Sequence, residues 1–528
     1  MAQGYLALLL HAHLPYVRHP EHEAFLEERW FFEAITESYL PLLQTFERLD
    51  QSGINFHLTL SISPTLLGML QDELLQQRYL QHMQSLIGLA GQEAARKHAD
   101  QRTQVLAEHY LQHFQETRRL YTEHYQGNLV GAFKQLQEAG QLEIITTAAT
   151  HGFLPLLRTE PGSVQAQLAV AAETYKETFG RTAPGIWLPE CGYFPGLEEQ
   201  LAEQGFRYFM LDTHGILHAD ERPWHGIAAP LACPNGVAAF GRDPESSRQV
   251  WSADEGYPGD SWYREFHQDI GFDRPAEELG PFILDDGSRT HTGIKYFRVT
   301  HQGQYKQPYE LKKAKQRVEV HAEDFLHRRR AAIQQYSSRM ERPPLLLAPY
   351  DAELFGHWWY EGPQWLEALI RKIHQQDEIE LITPFHYLQR HPKLQCAQPS
   401  ASSWGELGYN AYWLNEHNDW LYPHLHQAAR SMQQLARKYV DEQPGSLKFR
   451  ALQQAGRSLL LAQASDWPFI LKTGTSKSYA EQRVRDLLAR FNYLEQSIID
   501  DTIDLQHLQT LEQMDAIFPN LDFTSFIT

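Results

Sequence analysis

Short apolar runs recur along the chain, and most of them end in a polar residue. The run at 5–10 leads into His11 and His13. Those at 54–60, 142–149 and 185–188 lead into Ser61, Thr150 with His151, and Glu190. Those at 206–211, 237–240 and 345–349 lead into Asp212, Arg242 with Asp243, and Asp351, and a last run at 379–383 stops at Pro384. Amphipathic stretches such as 195–204 and 361–375 lie between them. Continuous apolar strands alternating with helices predict a parallel sheet covered by helices. Seven or eight such units, about 50 residues apiece, predict an α/β fold closed into a (β/α)-type barrel, with functional groups gathered at the strand C-termini. An open doubly wound sheet is the alternative. No GxGxxG follows any strand, which argues against a dinucleotide site.

Two regions break the alternation. Residues 65–126 are polar, rich in Gln, Leu and His, and predict an inserted helical domain. From 396 onward strand-like runs vanish, and helical periodicity at 418–440, 446–464 and 478–499 predicts a helical C-terminal domain over 396–528. The barrel then comprises 1–64 and 127–395, with 395–403 read as a linker. The tract 251–297, rich in Gly, Asp and aromatics, reads as long loops over one end of the barrel.

Composition narrows the function. The 528 residues carry a net charge of −19, which disfavours a nucleic-acid or anionic-membrane partner. No run is long enough to span a bilayer, and the first residues read as a buried strand, not a signal peptide. Three cysteines at irregular spacing give no disulfide framework, and a reducing, cytoplasmic setting is expected. Twelve Trp and 25 Tyr are enough to line a carbohydrate site, although a large core uses aromatics too.

Candidate chemistry sits at the strand ends. Asp351, Glu353, His357 and Glu361 lie among Tyr350, Trp358, Trp359 and Tyr360. Carboxyls beside flat aromatic faces suit a sugar-cleaving site, because rings stack on pyranose faces and an apolar wall raises a carboxyl's pKa. Glu190 is set between Pro189 and Cys191, near Trp187 and Tyr193. A Glu so placed is either tightly hydrogen-bonded or catalytic. If it is a nucleophile it must be ionised, and donors such as His or Arg are expected beside it. His11 and His13 are two apart and can face one side. HxH is also a metal-ligand spacing, so a metal-dependent hydrolase using His11 and His13 is a competing reading. A non-catalytic glycan-binding protein is a third. Two carboxylates at separate strand ends of one barrel are laid out as a glycosidase pair, with about 5–6 Å between them in a retaining enzyme.

The strings 11–16, 149–155, 187–193 and 348–362 resemble successive signature regions of glycoside hydrolase family 57. The strings 351–361 and 249–253 resemble its 1,4-α-glucan branching enzymes and close relatives named α-amylases. Ser403-Trp404-Gly-Glu406 and Ala464-Ser-Asp466-Trp-Pro-Phe469 extend the likeness over nearly the whole chain. The resemblance implies a (β/α)7 barrel, an inserted helical domain, a helical C-terminal domain and a retaining mechanism without a cofactor or metal. It implies an α-1,4-glucan substrate, cleaved and transferred to make α-1,6 branches, or hydrolysed as by an α-amylase. It makes Glu190 the nucleophile and Asp351 the general acid/base. His11, His13, His151, Arg242, Trp251, Trp404, Trp413 and Asp466 would bind sugar, with Asp466 and Trp467 reaching in from the helical domain. Read without the resemblance, Ser465-Asp466 is a helix N-cap. Branching enzymes of the family would carry a mobile loop with a Tyr after the strand ending near Asp212. Here the stretch 218–226 is short and holds Trp224 and His225, and Trp224 would screen the site and stack on the acceptor.

Overall fold

The computed structural model describes residues 2–252, 255–284, 287–300 and 305–528. Every apolar run identified in the sequence contributes a strand. They are β1 (Gly4–Ala12), β2 (Leu58–Ile62), β3 (Leu142–Thr147), β4 (Gly185–Trp187), β5 (Tyr208–Leu211), β7 (Ala238–Gly241), β8 (Leu345–Asp351) and β9 (Ile379–Leu381). Two short strands, β6 (Leu231–Ala232) and β10 (Gln395–Cys396), lie at the sheet edge beside β7.

Strands β7, β5, β4, β3, β2, β1 and β8 run parallel in that order. A parallel bridge from Arg242 to Leu347 joins the two ends of the series. Strand β9 pairs with the first residues of β1, Gly4 to Leu6, below the point where β2 takes over at Leu9. The seven-stranded barrel is thus built as expected, and β6 alone runs antiparallel to its neighbour β7.

Alternation along the strands places the site. Tyr5, Ala7 and Leu9 of β1 meet Ile145, Trp187, Met210, Phe240, Leu345 and Leu347 in one buried cluster inside the barrel. Leu6, Leu8 and Leu10 face the other way, into the larger core beneath the helices. Two residues beyond Leu9 comes His11, and two beyond Pro349 comes Asp351, each paired with the other in register. Both side chains therefore turn inward at the C-terminal end of the barrel.

Helices Pro64–Gln71, Glu73–Ala95 and Gln101–Arg119 form the insertion. It is not isolated. Tyr296 Oη donates to Glu93 Oε2 at 2.9 Å, Arg274 pairs with Glu93 at 2.7 Å, and Tyr110 Oη donates to the Lys295 carbonyl at 2.7 Å. The tract read as long loops thus packs its described residues, in short helical turns and bridges, onto the insertion. The C-terminal region holds helices Leu421–Lys438, Leu447–Ala462, Asp466–Thr473, Lys477–Asp500 and Leu505–Met514. Residues 395–403 are no free linker. Gln395 and Cys396 pair with β6, and Ser402 bridges to Tyr193. Cys191 and Cys233 are buried free thiols and Cys396 is exposed.

Candidate active site

Glu190 follows β4 in a tight turn, Pro189–Cys191, with left-handed backbone at Glu190 (φ 61°, ψ 23°) and again at Cys191 (φ 51°). Such a conformation costs a non-glycine residue about 1–3 kcal/mol and persists where surrounding contacts enforce it. Those contacts are plain. The Cys191 amide donates to the Leu188 carbonyl at 2.8 Å, and the Trp404 amide donates to the Glu190 carbonyl at 3.0 Å. The Glu190 carboxyl takes two further donors, Trp404 Nε1–H on Oε2 at 2.8 Å and the Ser465 hydroxyl on Oε1 at 3.0 Å. His151 Nδ1 lies 3.9 Å from Oε1. Burial pushes the Glu190 pKa up; the Trp404 bond opposes this, Asp466 adds to it, and Ser465 and His13 oppose it, leaving a net rise. A His is nearby as expected, but the donors are an indole and a hydroxyl.

Asp351 ends β8. Its carboxyl takes no hydrogen bond among the described residues. Burial raises its pKa well above the carboxylate range, the negative charges of Glu353 and Glu190 raise it further, and Arg242 opposes them. One carboxyl therefore has donors that favour its ionised form, while its neighbour is left to keep a proton. Glu353 accepts from Tyr39 Oη at 2.5 Å and from the His13 amide at 3.2 Å. Glu361 is buried and accepts from Tyr309 Oη at 2.6 Å and the Arg264 amide at 3.1 Å. Both thus have structural partners. Trp358 is half exposed and stacked on Phe266 at 4.6 Å, whereas Trp359 is buried.

The histidines make one stack. His11, from β1, lies over Trp187 (4.9 Å) and His151 (5.0 Å), and His151 lies over His13 at 4.0 Å. His11 Nδ1 meets Ser61 Oγ at 3.0 Å, and its Nε2 meets His151 Nε2 at 3.0 Å. His151 also has left-handed backbone (φ 56°), and its Nδ1 meets Ser465 Oγ at 2.8 Å. His13 Nε2 pairs with Asp466 Oδ2 at 3.1 Å. Arg242 pairs with Asp212 at 2.5 Å and lies over the Trp404 ring. The structure thus brings His11, His13, His151, Glu190, Arg242, Asp351, Trp404 and Asp466 together.

Three sequence expectations come out differently, those for Trp224, Trp413 and Trp467. Trp224 is 74% exposed and lines a small crevice with Arg342 and Gln395. Arg342 precedes β8, so Trp224 lies toward the strand N-termini, away from Asp351, and cannot screen the site from there. Trp251 is 61% exposed at the last position of helix Pro244–Trp251, open to solvent as a sugar platform would be; Ala253 of the same motif lies outside the described residues. Trp413 is buried face-on against Phe153 at 4.3 Å and backs the segment carrying Trp404. Trp467 is buried too, its indole N–H bonded to the Leu461 carbonyl at 2.8 Å, while its neighbour Asp466 reaches the site.

Ser465 occupies the N-cap position of helix Asp466–Thr473 but makes no capping bond. Its hydroxyl serves Glu190 and His151 instead. Ser61 and Tyr39 also escaped the sequence reading of the site. Ser61 was visible only as a polar strand end, and nothing in the sequence singled out Tyr39.

His13, His151 and Asp466 each place one ligand-type atom within 4.8 Å of the others. Both nitrogens of His151 are already hydrogen-bonded and its ring lies flat on His13. A metal there would have to displace these contacts. His11, the other member of the HxH pair, also has both nitrogens engaged.

Residues 7–398 match the model of glycosyl hydrolase family 57, and residues 424–526 match that of the C-terminal region of 1,4-alpha-glucan branching enzyme. A protein of Thermococcus kodakarensis named 1,4-alpha-glucan branching enzyme is 33% identical over 98% of this chain and 77% of its own. Among solved structures, the alpha-amylase AmyC of Thermotoga maritima is 42% identical, with a TM-score of 0.93 over 99% of both chains. A GH57-type branching enzyme of Pyrococcus horikoshii is 33% identical, with a TM-score of 0.89 over 100% of this chain and 97% of its own. The chain belongs to glycosyl hydrolase family 57.

Proposed function

We propose that this protein is a retaining α-glucan-active enzyme, a 1,4-α-glucan branching enzyme that cleaves α-1,4 linkages and transfers the cleaved segment to form α-1,6 branches. The observation that carries the reading is the contrast between two inward carboxyls. Glu190 has a donor on each oxygen, and Asp351 has none and is pushed well above the carboxylate range. In this reading Glu190 attacks the anomeric carbon while Asp351 gives its proton to the departing glycosidic oxygen. Asp351, now ionised, then takes the proton of an acceptor 6-hydroxyl, which displaces Glu190 and frees its carboxylate. The matched branching-enzyme C-terminal region supports transfer. His11, His13, His151, Arg242, Trp404 and Asp466 would hold the sugar at the point of cleavage. A cytoplasmic setting goes with the proposal; among the described residues no helix is long and apolar enough to cross a membrane.

One observation favours a second reading, hydrolysis as by an α-amylase. Trp224 stands away from the carboxylates, so its loop does not shield the intermediate from water. Incubation of the pure protein with amylose separates the two. Growth of α-1,6 linkages without matching reducing ends supports branching; reducing ends alone would overturn it. Full activity after chelation, with the metal content measured, would dispose of the metal-hydrolase reading.

A further inference from the structure

Glu190 Oε1 is the end of a continuous chain of polar side chains. Ser61 Oγ lies 3.0 Å from His11 Nδ1, His11 Nε2 lies 3.0 Å from His151 Nε2, His151 Nδ1 lies 2.8 Å from Ser465 Oγ, and Ser465 Oγ lies 3.0 Å from Glu190 Oε1. Ser61, His11, His151 and Ser465 are all buried. Burial holds both imidazoles far below their ordinary pKa, so each is neutral and carries one N–H.

A count of protons fixes the sense of the chain. Two hydroxyls and two neutral imidazoles supply four hydrogens for four links. When every hydrogen points toward Glu190, each link is filled once and Oε1 receives a donor. Ser61 O–H then bonds His11 Nδ1, His11 Nε2–H bonds His151 Nε2, His151 Nδ1–H bonds Ser465 Oγ, and Ser465 O–H bonds Oε1. In the opposite sense Ser465 would donate to His151, and Oε1 would lose that donor. Ser61 would then fall back on the Thr146 carbonyl at 3.5 Å, a long bond. An ionised Glu190 selects the first arrangement.

We propose that Ser465 is a positioning residue for Glu190, the last link of a neutral hydrogen-bonded chain that begins at Ser61 and is aligned by the Glu190 carboxylate. The inference rests on the reading of Glu190 as the nucleophile. It assigns work to residues that neither need touch the sugar. Ser61 acts across two imidazoles, and Ser465 carries the C-terminal helical region onto a barrel carboxylate. Ser465 makes no capping bond, and its hydroxyl is turned to His151 and Glu190 instead. The other charged and titratable groups that face Glu190 are Asp466, His13, Asp351 and Cys191, with His151 at 3.9 Å.

The test is the pH profile of kcat/KM on a short α-1,4-glucan, whose acid limb reports ionisation of the free enzyme's nucleophile. Ser465→Ala should move that limb up by roughly one pH unit and lower kcat more than it raises KM. Ser465→Thr, which keeps the hydroxyl, should restore the limb. Ser61→Ala should move it the same way by a smaller amount, because His11 then has no donor on Nδ1 and its tautomer is free. A limb unmoved in both alanine variants overturns the inference, as does a limb moved by Ser465→Ala alone, which would reduce the chain to one hydrogen bond. If Ser465→Ala does not fold, the Ser61→Ala profile alone decides. Glu190→Gln is measured alongside: retained turnover there refutes the nucleophile assignment itself, whereas its loss with unmoved limbs refutes only the chain.

Discussion

Replacing Trp404 with Phe isolates one hydrogen bond on Glu190. The indole N–H on Oε2 is removed. A Phe ring keeps the edge contact with Trp187 and a face for Arg242, and the main-chain bond from residue 404 to the Glu190 carbonyl survives. A hydrogen bond to a charged acceptor contributes about 1.5–3 kcal/mol. At 1.36 kcal/mol per pH unit this is a shift of about 1–2 units. The sign follows from which form the donor favours. It favours the carboxylate, so its loss favours the acid, and burial, already the largest influence on Glu190, then dominates further. The acid limb of kcat/KM should therefore rise by about 1–2 pH units, and activity should largely recover on the alkaline side of the new limb. Initial rates on a short α-1,4-glucan across pH 4–8 measure this. An unmoved limb with a raised KM would refute the reasoning, since the indole would then be binding sugar and not setting the charge on Glu190.

Asp351→Asn should lower turnover of glucan by about 100-fold or more, the usual share of a general acid. Formation of the glycosyl-enzyme from a glycosyl fluoride, whose leaving group needs no proton, should be largely spared, and equal loss on both substrates would be contrary evidence. Gly356→Ala should destabilise the fold by about 3 kcal/mol or more, seen as a lowered thermal midpoint. Gly356 has φ +110°, and a Cβ there would overlap the Glu37 carbonyl. Acid should destabilise the protein through His82 and His113, whose pKa values burial pushes down to about 3 and about 4. Both stay neutral when folded and protonate near pH 6.5 when unfolded, so stability is complete above about pH 6.5 and declines as pH falls toward 4. Each removes up to about 1.4 kcal/mol per pH unit below 6.5, and His113→Gln should flatten the fall of the thermal midpoint between pH 7 and pH 4.5; an equally steep fall would exclude it as a source.

The barrel was legible because its strands are short and apolar. In β1 the run from Tyr5 to Leu10 buries alternate residues in two different cores, so every position is apolar and the run stands out. The catalytic candidates were legible for the same reason, since Glu190 and Asp351, like Asp212, Arg242 and Asp243, are charged residues where such runs stop. What lay hidden depends on segments far apart in sequence. Ser465 carries the local signature of a helix start, with Asp466 and Pro468 following, and only docking on Glu190, 275 residues away, gives it a different partner. Residues 395–403 have the polar composition of a linker but gain edge-strand pairing from β6, itself too short to recognise. Trp224 and Trp413 show the limit of residue type: one stands exposed at the wrong end of the barrel, and the other is buried on Phe153.

The origin of the two donors on Glu190 bears on the choice between acceptors. Both come from beyond residue 400, while the carboxylates come from β4 and β8. Under the proposed mechanism, Glu190 therefore has both donors only when the C-terminal region is seated on the barrel. In that mechanism deglycosylation uses Asp351 as a base. Buried beside Glu353 and without a donor, its carboxylate binds a proton strongly and can take one from a sugar hydroxyl or from water alike. Proton affinity at Asp351 does not discriminate between them. Discrimination must come from binding energy that holds a second glucan at the intermediate before water reaches it. Trp404 beside Glu190 offers one aromatic face for this, and Trp358, half exposed with one face on Phe266, follows Asp351 by seven residues. Whether the chain branches or hydrolyses glucan thus turns on how well those faces hold an acceptor, and not on the two carboxylates, which serve both reactions equally.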